Sequence, residues 1–146
     1  MAYDREMIAQ TLKVVRHCAV LGLEVAAISD DSLTLKLPYS SAIIGNPETG
    51  VIHGGALTTL MDTACGFVIP LVVGRLDICP TLDLRIDYMT AAEPGKPVFG
   101  RASVYRHTDN VIFCRGVAFQ EPGETIIAHC VATFMRLAPE SLEQHP

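Results

Sequence analysis

One carboxylate in a long apolar segment is the first candidate for chemistry in this sequence. The segment runs from about Gly54 to Leu71, and Asp62 is its single charged residue. An ionised carboxylate in apolar surroundings is costly unless a partner stabilises it or a reaction uses it. Asp62 is therefore a candidate catalytic group. The alternative, which composition alone favours, is a buried carboxylate with a satisfied partner or one exposed at the edge of a helix.

Helical spacing places this carboxylate in a narrow polar stripe. On a helical wheel, one wide face of the segment is apolar and consists of Leu57, Leu60, Met61, Ala64, Val68 and Leu71. The opposite face carries the small and polar residues Gly55, Thr58, Thr59, Asp62, Thr63 and Gly66. The pattern predicts a mostly buried helix with one polar side.

Two glycines, Gly54 and Gly55, stand where this helix is expected to begin. The N–H groups of a first helical turn have no partner inside the helix, and glycine lets a ligand approach the backbone closely. Together with the helix dipole, these groups can stabilise a carbonyl oxygen as it becomes an oxyanion. The simpler alternative is a tight turn into the helix.

The spacing between these groups bears on how they could act together. Gly54 and Asp62 are eight residues apart, or about 12 Å along a helix axis. A base and an oxyanion donor that serve one carbonyl must both lie within a few ångströms of it. If both act, each site takes Gly54 from one chain and Asp62 from another.

The remaining pattern predicts one helix and several strands around this segment. An amphipathic helix is expected at residues 4–21, where the apolar positions are Met7, Ile8, Leu12, Val15 and Ala19. Strands are expected at 24–28, 33–37, 82–88, 97–106, 111–119 and 125–136, and a loop rich in Gly, Asn and Pro at 44–50. Short turns join the last three strands, so an antiparallel meander is predicted.

One long helix against such a sheet is an α+β arrangement, and no repeat or linker divides residues 1–146 into more than one domain. Hydrophobic residues make up 49% of the chain and charged residues 18%. The longest weakly polar stretch, residues 64–74, falls short of the roughly 20 residues of a membrane helix. We therefore expect a cytoplasmic obligate oligomer. The net charge of −5 argues against general attraction to nucleic acid.

Other residues that could do chemistry lack the necessary patterns. The histidines outside the central segment have no metal-ligand spacing and are expected on the surface or on strands: His17, His107, His129 and His145. Five cysteines without C-x-x-C spacing suit a reducing compartment. The motifs of serine hydrolases, P-loop proteins and Rossmann proteins are absent from the sequence. No metal or redox cofactor is implied.

The central motif resembles that of a known family. His53-Gly54-Gly55 followed by Asp62, after a loop with Asn46 and Gly50, is similar to the acyl-CoA thioesterases of the phenylacetate-degradation type. Residues 81–89 resemble the strand that follows the long helix in that family. The resemblance covers roughly residues 20–136. It implies a hotdog fold, in which an antiparallel sheet wraps the helix, and side-by-side pairing with sites at the interface of a homodimer or a dimer of dimers.

The resemblance also implies roles for individual residues. Gly54 would give the oxyanion N–H, and Asp62 would be general base or nucleophile. His53 would shape the loop near the thioester, Asn46 would place the water or the carbonyl, and Thr81 would orient the water. Gly66 stands where some relatives carry a hydroxyl residue, which leaves a helper at that position in doubt.

The implied substrate is an acyl-CoA thioester with a small or aromatic acyl group. Gly55 is a further candidate for substrate binding. Because coenzyme A carries several phosphate charges, Arg101, Arg106 and Arg115 are candidate phosphate contacts. Two alternatives stay open: a hotdog dehydratase or hydratase, which would use a histidine in a different loop context, and a non-catalytic acyl-CoA binding module, which usually lacks the carboxylate.

Overall fold

A six-stranded antiparallel sheet wraps one long helix in the computed structural model, which describes residues 3–121 and 124–137. The helices are α1 (Arg5–Val14), α2 (Arg16–Leu21) and α3 (Gly54–Val73), and Ser41–Ile43 form one 3₁₀ turn. The strands are β1 (Glu24–Ile28), β2 (Ser32–Leu37), β3 (Ile44–Asn46), β4 (Val51–Ile52), β5 (Thr81–Tyr88), β6 (Val98–His107), β7 (Val111–Gln120) and β8 (Thr125–Met135). His145 and the predicted turn residues Pro122 and Gly123 lie outside the described residues.

The large sheet has the order β1-β2-β6-β7-β8-β5, and every neighbouring pair is antiparallel. Strands β6, β7 and β8 follow one another in sequence and in space, which confirms the predicted meander. The two strands expected before the central segment are confirmed as β1 and β2. The α+β arrangement predicted from the sequence is therefore correct.

Helix α3 lies against the sheet with the predicted apolar face inward. Leu60, Met61, Ala64 and Val68 are completely buried, whereas Leu71 at the end of that face is only partly buried. Glycines in the facing strands let the helix approach closely. A Cβ at Gly100 would lie 2.8 Å from Leu60 Cγ, nearer than side-chain packing allows.

The structure corrects two sequence expectations before α3. The predicted helix at 4–21 is two helices, because the backbone at Val15 turns to an extended conformation with ψ of 103°. Val15 and Ala19 are consequently exposed, and Cys18 is the buried residue of α2. The predicted loop at 44–50 contains a small hairpin, in which β3 pairs with β4.

Strand β5 lies at the edge of the sheet and pairs only with β8 within the described chain. The strict alternation of this strand predicts a half-buried element. In a single chain, however, Leu82 is 52% exposed, and Leu84 and Ile86 are only partly covered. Apolar side chains on an open edge are a surface that a second chain can cover.

Helix α3 has the length and composition of a membrane span, with 20 residues and a mean hydropathy of 1.8. This corrects the expectation drawn from residues 64–74, which counted only the part after Asp62. Half of the apolar window is buried inside this fold, and the core helix of a folded domain meets the same two criteria.

Candidate active site

The carboxylate of Asp62 meets a hydroxyl from β5. Thr81, the first residue of that strand, donates a hydrogen bond from Oγ1 to Asp62 Oδ1 across 2.8 Å. Asp62 is partly exposed on the polar side of α3, as the wheel predicts. One carboxylate oxygen is thus held by a threonine, and the other is free to accept a proton or to attack an electrophile.

His53 caps the start of α3. Its Nδ1 accepts a hydrogen bond from the Gly55 N–H at 2.9 Å, so a neutral His53 ring carries its proton on Nε2. A Cβ at Gly55 would lie 2.8 Å from that Nδ1, and the cap therefore needs glycine there. Since the Gly55 N–H is engaged, Gly54 offers the N–H that the first helical turn leaves without an intrahelical partner.

A tyrosine that the sequence analysis did not single out lies beside Gly54. The Tyr88 hydroxyl, at the end of β5, is 2.9 Å from the Gly54 carbonyl oxygen and 2.8 Å from Thr58 Oγ1. Its ring packs on Gly54, where a Cβ would meet the ring Cζ at 3.4 Å. The alternation of β5 predicts that Tyr88 shares a face with Leu84 and Ile86, but no local signal links it to a residue 34 positions earlier.

Helix α2 borders the other side of the polar stripe. His17 Nε2 lies 3.1 Å from Thr59 Oγ1, and Cys18 Sγ lies 3.8 Å from Thr63 Oγ1. The stripe therefore lies between β5 on one side and α2 on the other. His17 is exposed, as expected, yet it contacts the helix that carries Asp62.

Asn46 lies at the end of β3, in the hairpin that packs on His53. A Cβ at Gly45 would lie 2.8 Å from His53 Cα, which shows how closely the two segments approach. The Asn46 side chain is turned back on its own loop, where Oδ1 accepts a hydrogen bond from the Glu48 N–H at 3.0 Å. The structure places Asn46 near the histidine loop without directing its amide at Asp62.

Two of the candidate arginines, Arg101 and Arg115, lie on the face of the sheet opposite α3. Gly100, Ala102 and Gly116 are buried on the inner face, so Arg101 and Arg115 between them project from the outer face of the sheet. There they border a cavity of about 630 Å³.

Each of these arginines has different surroundings. Arg101 forms two hydrogen bonds with Glu124, at 3.0 and 3.1 Å, which lower the pKa of that carboxyl. The Arg115 guanidinium lies 5.9 Å from the ring centre of Tyr105. Arg106 is exposed near the end of β6 and has no carboxylate partner among the described residues.

Two cavities flank the first turns of α3. One, of about 330 Å³, lies on the β5 side and is bordered by Ile52, Leu57 and Tyr88. The other, of about 340 Å³, lies on the α2 side and is bordered by His17, His53 and Thr59. A ligand whose reacting carbonyl binds at Gly54 therefore has room on both sides.

Comparison with known proteins agrees with this geometry. Residues 49–127, which include α3 and β5, match the family model of the thioesterase superfamily. The chain belongs to the thioesterase superfamily. The family resemblance drawn from His53, Gly54, Gly55 and Asp62 is thereby confirmed at the level of the superfamily.

Individual relatives of this thioesterase-superfamily chain point the same way. The medium/long-chain acyl-CoA thioesterase YigI of Escherichia coli is 26% identical over 131 residues, which cover 79% of this chain and 81% of that protein. A shorter match, 32% identical over 75 residues, covers 49% of this chain and 50% of a relative from Halobacterium salinarum.

Solved structures extend the comparison. A Pseudomonas aeruginosa protein is 58% identical, with a TM-score of 0.81 over 91% of this chain and 98% of that chain. Thioesterase HI1161 of Haemophilus influenzae has a TM-score of 0.86 at 20% identity and covers 100% of this chain and 97% of its own. The fold is the hotdog fold of thioesterases. Family membership and the acyl-CoA thioesterase relative support thioester hydrolysis.

The Cys65 thiol of this superfamily member is poorly suited to act as a nucleophile. Hydrogen bonds with Cys114 and Cys130, together with burial, raise the pKa of the Cys65 thiol. Among residues 3–121 and 124–137, no three His, Cys, Asp or Glu side chains are grouped so as to hold a metal ion.

Proposed function

We propose that this protein hydrolyses acyl-CoA thioesters to a free acid and coenzyme A, at a site shared between two copies of the chain. The main support is the Asp62 carboxylate, which accepts a hydrogen bond from Thr81 on the open polar side of α3. Membership of the thioesterase superfamily and the similarity to an acyl-CoA thioesterase support an acyl-CoA as the substrate.

Helix α3 keeps Asp62 apart from the oxyanion donor of its own chain. The helix is continuous from Gly54 to Val73, so the Gly54 N–H and Asp62 are separated by about 12 Å along the axis. A thioester carbonyl bound at Gly54 is therefore out of reach of Asp62 in the same chain. A second copy can supply the carboxylate.

The open edge of β5 suggests how the two halves meet. Its first residue, Thr81, bonds to Asp62, and its last residue, Tyr88, bonds to the Gly54 carbonyl. If two β5 strands pair antiparallel about a two-fold axis at their middle, each Thr81 lies across from the partner's Tyr88. Each Asp62 then faces the partner's Gly54. The same pairing covers the apolar side chains that a single chain leaves exposed on β5.

The chemistry follows from this pairing. The thioester carbonyl oxygen accepts a hydrogen bond from the Gly54 N–H, with support from the helix dipole, as negative charge develops on it. The partner's Asp62 takes a proton from water, which adds to the carbonyl carbon. Alternatively, the carboxylate attacks the carbon itself, and water then resolves the mixed anhydride. In either route the C–S bond breaks, and coenzyme A leaves as a thiolate that takes up a proton.

The position of His53 favours hydrolysis over the dehydratase alternative. A dehydratase would need the histidine as its acid or base, whereas here Nδ1 caps α3 at Gly55. Asp62 with its threonine partner also distinguishes the protein from a binding module without a carboxylate. The acyl group that we propose is small or aromatic, as the phenylacetate-degradation resemblance implies.

A thiol-release assay across a panel of acyl-CoAs tests the proposed function. The panel includes acetyl-, hexanoyl-, phenylacetyl- and dodecanoyl-CoA. We expect release of free thiol together with stoichiometric free acid for at least one of them, and none from Asp62→Asn. A folded protein that binds these thioesters and releases no thiol from any of them would contradict the proposal.

A further inference from the structure

The cavity on the β5 side of α3 has a closed apolar floor. Ile52, Leu57 and Ala92 are 8%, 4% and 3% exposed, and no charged side chain borders the cavity within the described residues. The rim is formed by Tyr88 and Met89. Thr90 also borders the cavity, but the apolar floor accepts hydrocarbon without desolvating a polar group of the ligand.

The cavity on the α2 side has both polar and apolar walls. His17, His53 and Thr59 border it and can form hydrogen bonds, whereas Leu21, Ile43 and Ile44 supply apolar surface. A thioester of coenzyme A has two unlike arms on either side of its carbonyl. The pantetheine arm carries amides that need hydrogen-bond partners, whereas an acyl group needs only apolar contact and exclusion of water.

We propose that the cavity between Ile52, Leu57 and Tyr88 binds the acyl group of the substrate, and that Tyr88 determines the length of acyl group accepted. The inference rests on the proposed thioester hydrolysis and names the part of the same site that selects among substrates. The pantetheine arm then lies on the α2 side, along His17 and Thr59.

Tyr88 is held as a fixed wall. Its hydroxyl is bonded to the Gly54 carbonyl oxygen and to Thr58 Oγ1, and its ring lies on the Gly54 backbone. The ring cannot swing away from the cavity without breaking both hydrogen bonds. A side chain that is fixed at its hydroxyl end limits the length of the acyl group, because it does not move aside for a longer one.

The volume sets the size of the acyl group. A cavity of about 330 Å³ corresponds to roughly ten groups of water size, at about 30 Å³ each. It holds a phenylacetyl or an octanoyl group. A dodecanoyl chain has twelve carbons, exceeds this count and extends past Tyr88. Wild-type protein therefore prefers hexanoyl-CoA to dodecanoyl-CoA.

The test compares kcat/KM for hexanoyl- and dodecanoyl-CoA in wild type, Tyr88→Ala and Tyr88→Phe. Tyr88→Ala removes the wall and raises the ratio of kcat/KM for dodecanoyl-CoA to kcat/KM for hexanoyl-CoA by about tenfold or more. Tyr88→Phe keeps the ring but lacks the two hydrogen bonds that hold it, so its ratio lies between those of wild type and Tyr88→Ala. A ratio is insensitive to the fraction of folded protein, and Tyr88→Leu replaces the alanine variant if that variant does not fold.

Tyr105→Ala is the matched control, because Tyr105 is 51% exposed against 52% for Tyr88 and lies on a different strand, β6. An unchanged ratio in folded Tyr88→Ala, or an equal change in Tyr105→Ala, overturns the proposal. The proposed function fails only if wild type hydrolyses none of the acyl-CoAs in the panel. In that case, or if it hydrolyses neither hexanoyl- nor dodecanoyl-CoA, the cavity is tested separately with non-hydrolysable S-hexyl- and S-dodecyl-CoA. The affinity ratio of these thioethers must then change in Tyr88→Ala and not in Tyr105→Ala.

Discussion

Thr81 Oγ1 donates a hydrogen bond to Asp62 Oδ1 across 2.8 Å and so joins the first residue of β5 to the middle of α3. The contact fixes the direction of a carboxylate that would otherwise be free to rotate. It also shows that the strand after the helix forms part of the candidate site. The first prediction removes this contact alone.

Thr81→Val keeps the side-chain shape and removes the hydroxyl. We expect kcat to fall about 10- to 100-fold, because a hydrogen bond to a charged group contributes roughly 1.5–3 kcal/mol, while KM changes little. Thr81→Ser keeps a hydroxyl and should retain most of the activity. Steady-state kinetics on one acyl-CoA decides the matter, and a fully active Thr81→Val would show that the contact does not serve the reaction.

Asp62→Asn removes the charge with little change of shape. We expect kcat to fall by about three orders of magnitude or more, with binding of a non-hydrolysable thioether retained. The matched control is Asp109→Asn, in the exposed turn between β6 and β7. If Asp62→Asn unfolds, as judged by circular dichroism, while Asp109→Asn does not, Asp62 has a structural role instead.

The candidate phosphate-binding arginines differ in whether a carboxylate already binds them. Arg101 is engaged with Glu124, whereas Arg106 has no carboxylate partner in the described parts of the chain. We expect Arg106→Ala to raise KM for an acyl-CoA several-fold, more so at low salt, and to leave the KM of the matching acyl-pantetheine unchanged. Arg101→Ala and Arg115→Ala are the comparisons. An equal defect on both substrates would mean that Arg106 does not bind phosphate.

Asp77 predicts a pH dependence of stability. Burial would raise the pKa of its carboxyl, but hydrogen bonds from Arg136 at 2.6 Å and Arg75 at 2.9 Å outweigh burial and lower it. Because the pKa of this carboxyl is lower in the folded protein, Asp77 stabilises the fold at pH values above its pKa in the unfolded chain, about 3.9. That stabilisation is lost as the pH falls through the pKa of Asp77 in the folded protein.

Asp77→Asn should therefore lower the free energy of unfolding near neutral pH and flatten its decline below about pH 4. Urea unfolding of both proteins between neutral and acid pH measures the difference. A difference between variant and wild type that stays constant over this range would show that the ion pairs do not account for the effect. Asp109→Asn again serves as the exposed control.

Local pattern predicted most of the elements, because their signals are short-range. The alternation of β5 and the polar stripe of α3 follow from periods of two and 3.6 residues. The break at Val15 has no glycine or proline to mark it, and α2 after the break contacts α3 through His17 and Cys18. The hairpin of β3 and β4 was not predicted, because turn residues dominate this part of the sequence.

Contacts between distant residues could not be read from local pattern. Thr81 entered through family resemblance, and its bond to Asp62 spans 19 positions. Nothing near Tyr88 in the sequence indicates its two bonds at the start of α3. The burial of β5 was predicted and is incomplete in one chain, which is consistent with an edge that a second copy covers.

In the proposed site, the Gly54 N–H and the Asp62 carboxylate come from different chains. Asp62→Ala removes the carboxylate, and Gly54→Pro removes the donor N–H. Gly54 is the first residue of α3, where proline is well tolerated. His53 before it has φ of −69° and ψ of 135°, values that a residue preceding proline adopts readily. Each variant alone should be nearly inactive.

The decisive measurement is the activity of the two variants after they are unfolded and refolded together at equal ratio. Random pairing makes half of the dimers mixed. Each mixed dimer has one intact site, with an unmutated Gly54 from one chain and an unmutated Asp62 from the other. The mixture should therefore recover about a quarter of wild-type activity per site. Activity that stays near zero, in a mixture shown by mass spectrometry to contain heterodimers, would contradict the shared site.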